Sequence, residues 1–140
     1  MGTHVVVGGV ISPVHDAYAK KELASATHRC AMLRLSLQNS DWIRLSTWET
    51  RQNYWSKTRM CLQHHQNLLN SVLSNSNDIK HHLQIEDIEW IPENVKNNST
   101  DNTPIQIKLL CGADLLESFG IPALWLEEDV SCEIHCKWSF

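Results

Sequence analysis

Polar side chains that could do chemistry are concentrated in three blocks of the sequence. The first block, SPVHDAYAKK, spans Ser12 to Lys21 and follows a valine-rich run. It holds hydroxyl, imidazole, carboxylate and ammonium groups in a predicted loop after a strand, where a lysine can meet a phosphate as a point charge. The local alternative, which the block alone favours, is a solvated loop with Lys20 and Lys21 on the first turn of a helix.

The second block combines an apolar run, a glycine and a carboxylate. Residues Ile105 to Leu110 are rich in strand formers, Gly112 ends the run, and Asp114 stands where an N-cap would open a helix over Leu115–Phe119. In an open α/β sheet this junction lies at the carboxyl end of a strand, where ligands bind, and nucleotide hydroxyls suit it. The local pattern alone favours the alternative that Gly112 is only a turn and Asp114 only a cap.

The third block carries large apolar side chains every seven residues after Ser46: Trp48, Trp55, Leu62 and Leu69. Glu49 lies three residues after Ser46, the spacing of a capping box. The block therefore predicts one long helix beginning at Ser46. In that helix Trp55 would be a core residue and Thr58, one turn beyond it, an ordinary helix residue.

The elements before this block predict an α/β fold. A nearly continuous valine run, His4–Ile11, suits a strand buried on both faces. An apolar stripe predicts a helix over Leu23–Leu37, and Trp42–Leu45 alternate as a second short strand. Strand, helix and strand in this order are typical of the crossover unit of a parallel sheet.

Composition limits the classes of function. The chain has 140 residues, 42% hydrophobic and 20% charged, which suits one soluble domain, and its formal net charge of −4 argues against a nucleic-acid-binding surface. Five cysteines without a repeated spacing predict reduced intracellular thiols and no metal site. Val5–Ile11 is too short for a signal peptide or membrane span, so we predict no membrane partner and a cytoplasmic or nuclear location.

One segment of the predicted domain, residues 1–140, differs in composition. Residues 74–103 are dominated by Asn, Ser, Asp and Lys, with a weakly apolar island around Trp90, and are predicted to form a mobile insertion. The last ten residues, SCEIHCKWSF, continue no periodic pattern.

Taken together, the blocks resemble the eukaryotic nicotinamide/nicotinate mononucleotide adenylyltransferases, and the insect members most closely. The resemblance is carried by GVISPVHDAYAKK, RLSTWETRQNYWSKT with LQHHQ, and KLLCGADLLESFGIPALW with EED. It implies a Rossmann-like nucleotidyltransferase fold with a parallel sheet. It also implies a reaction in which ATP and the mononucleotide give a dinucleotide and pyrophosphate, with Mg²⁺ accompanying the ATP.

The resemblance also implies roles for individual residues. Trp55 and Trp125 would hold the pyridine ring between aromatic faces, which suits indole chemistry. Thr58 and Leu124 would recognise the carboxamide or carboxylate through backbone groups. Lys20 would contact the mononucleotide phosphate, and Ser12 and Tyr18 would line the same loop. Gly112 and Asp114 would bind the hydroxyls of the adenosine ribose.

The sequence departs from this family at both ends. The G-x-F-x-P-x-T-x-x-H loop and the I-S-S-T-x-x-R motif, which contact the ATP phosphates in the family, are absent from it. We therefore expect an incomplete fold, lacking the first strand and the C-terminal part, and a polypeptide that is inactive alone, because positioning and charge stabilisation supply most of this catalysis. The alternative is a noncatalytic isoform that acts as an interaction module or binds mononucleotide weakly. The oligomeric state is left open, with a homo-oligomer as one candidate.

Overall fold

The computed structural model describes residues 5–18, 20–74, 85–97, 104–127 and 129. Within these ranges the regular elements, in chain order, are two strands and five helices: β1 (Gly9–Ile11), α1 (Ala26–Ser36), β2 (Ile43–Leu45), α2 (Thr58–Leu73), α3 (Ile85–Ile88), α4 (Glu93–Asn97) and α5 (Ala113–Ser118). Two short 3₁₀ turns cover Asp16–Tyr18 and Glu49–Arg51. None of the helices described here is long and apolar enough to cross a bilayer.

The two strands form a parallel pair, as the sequence predicts. β1 pairs with β2 in a register that places Gly9 opposite Ile43 and Ile11 opposite Leu45, and α1 connects them. The strand is shorter than the predicted His4–Ile11, since it begins only at Gly9. Val5 and Val6 lie outside the ladder and are 82% and 77% exposed. His4 lies outside the described residues.

Helix α1 begins later than predicted. Glu22 has a φ of 62°, in the left-handed region, and residues 23–25 after it are not helical. Ser25 is the N-cap, and its hydroxyl accepts a hydrogen bond from the His28 N–H. The helical backbone therefore starts at Ala26.

The predicted long helix after Ser46 is wrong over its first part. The Ser46 hydroxyl is bonded to a ring nitrogen of His65 and, at 3.5 Å, accepts from the Trp48 N–H instead of closing a capping box. The Glu49 carboxylate turns inward to other partners, and only a 3₁₀ turn forms there. Trp55 consequently lies in the irregular segment before α2 and is 42% exposed, so its predicted place on a buried stripe is also wrong.

The main hydrophobic core forms between α2 and the chain around α3 and α4. Its buried members are Leu68, Leu69, Val72, Trp90, Ile91 and Val95, with Val10, Ile88, Ile105 and Ile107 packed against them. Half of this cluster comes from within residues 74–103. Of the predicted insertion, the structure describes residue 74, which caps α2, and residues 85–97, which contribute to the core; residues 75–84 and 98–103 lie outside the described residues.

Residues Pro104 to Leu110 approach α2 without a strand partner. Their exposure alternates residue by residue, as in a strand, but within the described residues the only sheet is the β1–β2 pair. The Gln66 side chain takes the place of a neighbouring strand: its Nε2 donates to the Ile105 carbonyl at 3.0 Å and its Oε1 accepts from the Ile107 N–H at 2.8 Å. The predicted paired strand is therefore absent here, and Gln66 anchors the segment that leads to Gly112.

Candidate functional site

The loop after β1 closes over a buried carboxylate. Ser12 Oγ donates to Glu49 Oε2 at 3.2 Å, and Cys61 Sγ on α2 donates to the same oxygen at 3.3 Å. Burial raises the pKa of Glu49, although both hydrogen bonds oppose that shift. Burial also raises the pKa of the Cys61 thiol to about 12, so this cysteine is protonated and unreactive at neutral pH. The cluster fixes the start of the loop to α2.

A second set of contacts ties the middle of the loop to α1. Asp16 Oδ1 accepts from the Ala26 N–H at 2.7 Å and from Arg29 Nη2 at 2.8 Å. Arg29 Nη2 also donates to the Val14 carbonyl at 2.7 Å. The Arg29 hydrogen bond is the main reason that the pKa of Asp16 lies below its ordinary value. Tyr18 and Lys20, which follow, are both exposed.

Tyr18 and Trp55 meet at the surface. Their ring centroids are 5.9 Å apart and their planes are tilted by 40°. Both side chains remain half exposed, at 50% and 42%, in spite of this contact. Two large aromatic faces therefore stand open beside the loop after β1, an arrangement that can accept a planar ring.

The beginning of α2 is joined to the far end of the described chain. Asp129, which is 4% exposed, accepts from Lys57 Nζ at 3.3 Å and pairs with Arg59 Nε at 3.2 Å. Thr58, the first residue of α2, lies between these two cations in the sequence. Its N–H is one of those that a helix leaves without an intrahelical acceptor. The ion pairs bring the chain just after Trp55 together with the chain four residues after Trp125.

Trp125 is held from α5 rather than by Trp55. Its indole Nε1 donates to Ser118 Oγ at 3.1 Å, and its ring lies edge-on to Phe119 with centroids 4.9 Å apart. The preceding turn contains Ala123 with a φ of 60°, and the Leu124 N–H donates to the Ile121 carbonyl at 3.3 Å. Of the two backbone groups of Leu124, the carbonyl is thus the better placed to meet a ligand.

Gly112 and Asp114 lie together at the start of α5. Gly112 is the N-cap, so the prediction that Asp114 is the N-cap is wrong; Asp114 lies in the first turn, with no cap hydrogen bond from a side chain. A Cβ at position 112 would lie 2.5 Å from Asp114 Oδ1. The carboxylate therefore folds back over the Gly112 backbone, where a larger residue would displace it, and both residues are exposed.

The structure thus brings the predicted residues into small groups. Tyr18 contacts Trp55, Gly112 contacts Asp114, and Ser12 turns inward to Glu49. Among the described residues, Trp55 has a ring contact with Tyr18, and Trp125 has one with Phe119. No ring contact joins the two indoles to each other in this part of the chain. Within the same residues there is no group of three His, Cys, Asp or Glu side chains that could hold a metal ion.

Sequence reasoning missed the three charged residues whose ion pairs join the start of α2 to residue 129: Lys57, Arg59 and Asp129. A signal was available, because two cations lie within four residues of Trp55 and an acidic residue lies four after Trp125. It is weak, since charges flank many helices. Two hollows of the described residues lie elsewhere, with volumes of about 170 and 450 Å³, and both are lined by Arg34, Thr47, Glu86 and Glu89.

Comparison with protein families gives one match that covers most of the chain. A family model described as cytidylyltransferase-like matches residues 1–131. That span includes every residue predicted for the site.

Comparison with curated proteins confirms the resemblance stated from the sequence. A nicotinamide-nucleotide adenylyltransferase of Drosophila melanogaster is 51% identical over 92% of this chain. Nicotinamide/nicotinic acid mononucleotide adenylyltransferase 1 of Bos taurus is 40% identical over 93%, and the type 2 protein of Xenopus tropicalis is 33% identical over 92%. The chain spans 33%, 50% and 59% of these three relatives, respectively.

Proposed function

Because the chain belongs to the cytidylyltransferase-like family, whose fold is a Rossmann-like nucleotidyltransferase fold, we propose that it supplies the pyridine-mononucleotide side of an adenylyltransferase active site. The reaction joins ATP to nicotinamide or nicotinate mononucleotide and releases pyrophosphate. The names of the relatives support this choice of substrates, since all three are adenylyltransferases of this class.

One observation carries the proposal: an open aromatic surface and the start of a helix occur side by side. Trp55 and Tyr18 present half-exposed faces, and the first N–H groups of α2 begin three residues later at Thr58. A pyridine ring could stack on the indole while its amide or carboxylate oxygen meets the Thr58 backbone. The Asp129 ion pairs hold the Trp125 segment to the same helix start. This supports the proposal that the Trp125 indole contacts the other face of the pyridine ring.

The remaining roles follow from charge and position. Lys20 is exposed at the end of the loop after β1, where its ammonium group would meet the mononucleotide phosphate, and Ser12 lies at the start of that loop. Asp114 and the Gly112 backbone would bind the adenosine ribose hydroxyls, the carboxylate as acceptor. In such a displacement the mononucleotide phosphate attacks the α-phosphorus of ATP, and the protein contributes alignment of the two phosphates.

A divalent ion, Mg²⁺, is proposed to accompany ATP. The described residues offer no three-ligand protein site for it, so this part of the chain fits an ion held by phosphates and water.

The test is mononucleotide binding by the 140-residue protein. Titration calorimetry with nicotinamide mononucleotide should give saturable one-to-one binding, and Trp55→Ala should weaken it by a factor of about 5 to 150, since base–aromatic stacking contributes about 1–3 kcal/mol. Trp42→Ala is a matched control, because Trp42 is also exposed, at 53%, but precedes β2. Equal losses in the two variants, or no binding by the unmodified chain, would contradict the proposal.

Dinucleotide formation is a separate measurement. With ATP, Mg²⁺ and mononucleotide, the expectation from the absent phosphate-loop motifs is binding without turnover, and that expectation stays a prediction. A homo-oligomer, a cytoplasmic or nuclear location, and the absence of nucleic-acid and membrane partners also stay predictions.

A further inference from the structure

Glu49 is a buried carboxylate to which the proposed function assigns no role. It is 7% exposed, and Ser12 Oγ and Cys61 Sγ donate to its Oε2 at 3.2 and 3.3 Å. The backbone of His15 makes a further hydrogen bond to it. Among the described residues no Lys or Arg side chain forms an ion pair with Glu49. Burying a carboxylate without a cation is costly, so these donors have to offset the loss of water.

The donors come from two parts of the chain. Ser12 and His15 lie in the loop after β1, whereas Cys61 lies in the first turn of α2. Ser12 Oγ is also 3.4 Å from Cys61 Sγ, so the side chains of Ser12, Glu49 and Cys61 all contact one another. Glu49 therefore joins the loop that leads to Lys20 to the start of α2.

We propose that Glu49 is a positioning residue, which holds the loop after β1 in the conformation in which Lys20 reaches the mononucleotide phosphate. The proposal rests on the proposed function, which gives Lys20 this contact. A carboxylate suits the task because its oxygens accept hydrogen bonds from several donors at once. The α2 side of the connection is fixed independently, since Leu68, Leu69 and Val72 of α2 belong to the main core. Loss of the carboxylate should therefore release the loop rather than α2.

The first measurement is amide hydrogen exchange of the 140-residue protein without ligand. Glu49→Leu removes the acceptors, so the His15 amide should exchange at least about tenfold faster, beyond any change seen at amides in the middle of α2. Glu89→Leu is the matched control, because Glu89 is exposed just after α3, and it should leave the exchange of the His15 amide unchanged.

A second variant decides the matter if Glu49→Leu does not fold. Ser12→Ala removes one of the donors on the loop and keeps the carboxylate, so it should accelerate exchange of the His15 amide in the same direction by a smaller factor, about twofold or more. Because no ligand is present, a contact between Ser12 and the mononucleotide does not enter this measurement.

The second measurement connects the loop to the ligand, by calorimetry with nicotinamide mononucleotide. Glu49→Leu should weaken binding about two- to tenfold, which is the contribution of one hydrogen bond between the protein and the phosphate. In a chain that already carries Lys20→Ala, the same change should weaken binding less than about twofold, because the contact that Glu49 supports has been removed. A general loss of structure would weaken binding by the same factor in both backgrounds.

The inference is overturned if the His15 amide is unprotected in the unmodified chain, or if neither variant accelerates its exchange. It is also overturned if Glu49→Leu weakens binding equally with and without the Lys20 side chain. If the unmodified chain binds no mononucleotide, the proposed function fails and Glu49 has no ligand contact to support, while the exchange of the His15 amide still shows whether it holds the loop.

Discussion

Replacing Gln66 by leucine should detach the segment that positions Gly112. The Gln66 amide makes two hydrogen bonds to the backbone of Ile105 and Ile107, and its Nε2 also donates to Asn70 Oδ1 at 2.9 Å. Each backbone hydrogen bond contributes about 0.5–1.5 kcal/mol, so losing both should lower the free energy of unfolding by about 1–3 kcal/mol. The carbonyl and N–H left behind are partly buried, which places the loss in the upper part of that range.

The chain offers a matched control one turn earlier on α2. Gln63 makes the same i,i+4 contact, from its Nε2 to Asn67 Oδ1 at 2.8 Å, on an exposed face. Gln63→Leu should therefore cost only about 0.2–0.5 kcal/mol. The difference between the two variants isolates the bonds from Gln66 to the backbone of residues 105 and 107.

Urea unfolding measures the global difference, and amide hydrogen exchange measures the local one. In Gln66→Leu the Ile107 amide should exchange at least tenfold faster, while amides in the middle of α2 change only as far as global stability does. If the two variants have equal unfolding free energies and the Ile107 amide keeps its protection, Gln66 does not anchor this segment.

Three further predictions concern single residues. Trp55→Phe should retain more mononucleotide affinity than Trp55→Ala, since a smaller aromatic face remains, and calorimetry that ranks the two equally would contradict a stacking role. Gly112→Ala should displace the Asp114 carboxylate and weaken adenosine binding several-fold, with less than about 1 kcal/mol change in unfolding free energy, because the group it meets is the end of a flexible side chain. Burial beside Trp48, against which its ring stacks at 3.9 Å, lowers the pKa of His64 from 6.5 to about 4. The unfolded chain then binds the proton first, so stability should fall as pH drops from about 6.5 to 4, by about 1–2 kcal/mol after allowance for partial exposure, and His64→Phe should remove that part of the loss in urea titrations.

The order of β1, α1 and β2 could be predicted because each element has its own local pattern. Valine-rich and alternating runs indicated the strands, and an apolar stripe indicated α1. The start of α2 could not be predicted in the same way, since Ser46 and Glu49 have capping-box spacing but bond to partners on other elements. Ser46 contacts His65 and Glu49 contacts Ser12, so tertiary hydrogen bonds override the local preference.

The candidate site shows the same division between local and distant information. The contact between Gly112 and Asp114 lies within one turn, so a sequence pattern could indicate it. The ion pair between Lys57 and Asp129 joins residues 72 positions apart and leaves no periodic signal. Trp90 is a third case: it lies in a polar segment, yet it is 4% exposed in the core, because α2 offers an apolar face that composition alone does not reveal.

The most direct test of the central claim is a structure of the protein with nicotinamide mononucleotide bound. We predict that the pyridine ring stacks on the Trp55 indole with its amide at the Thr58 backbone and Trp125 on its other side. A mononucleotide seated instead in the hollows lined by Arg34 and Glu89, with Trp55 and Trp125 still facing solvent, would contradict the account.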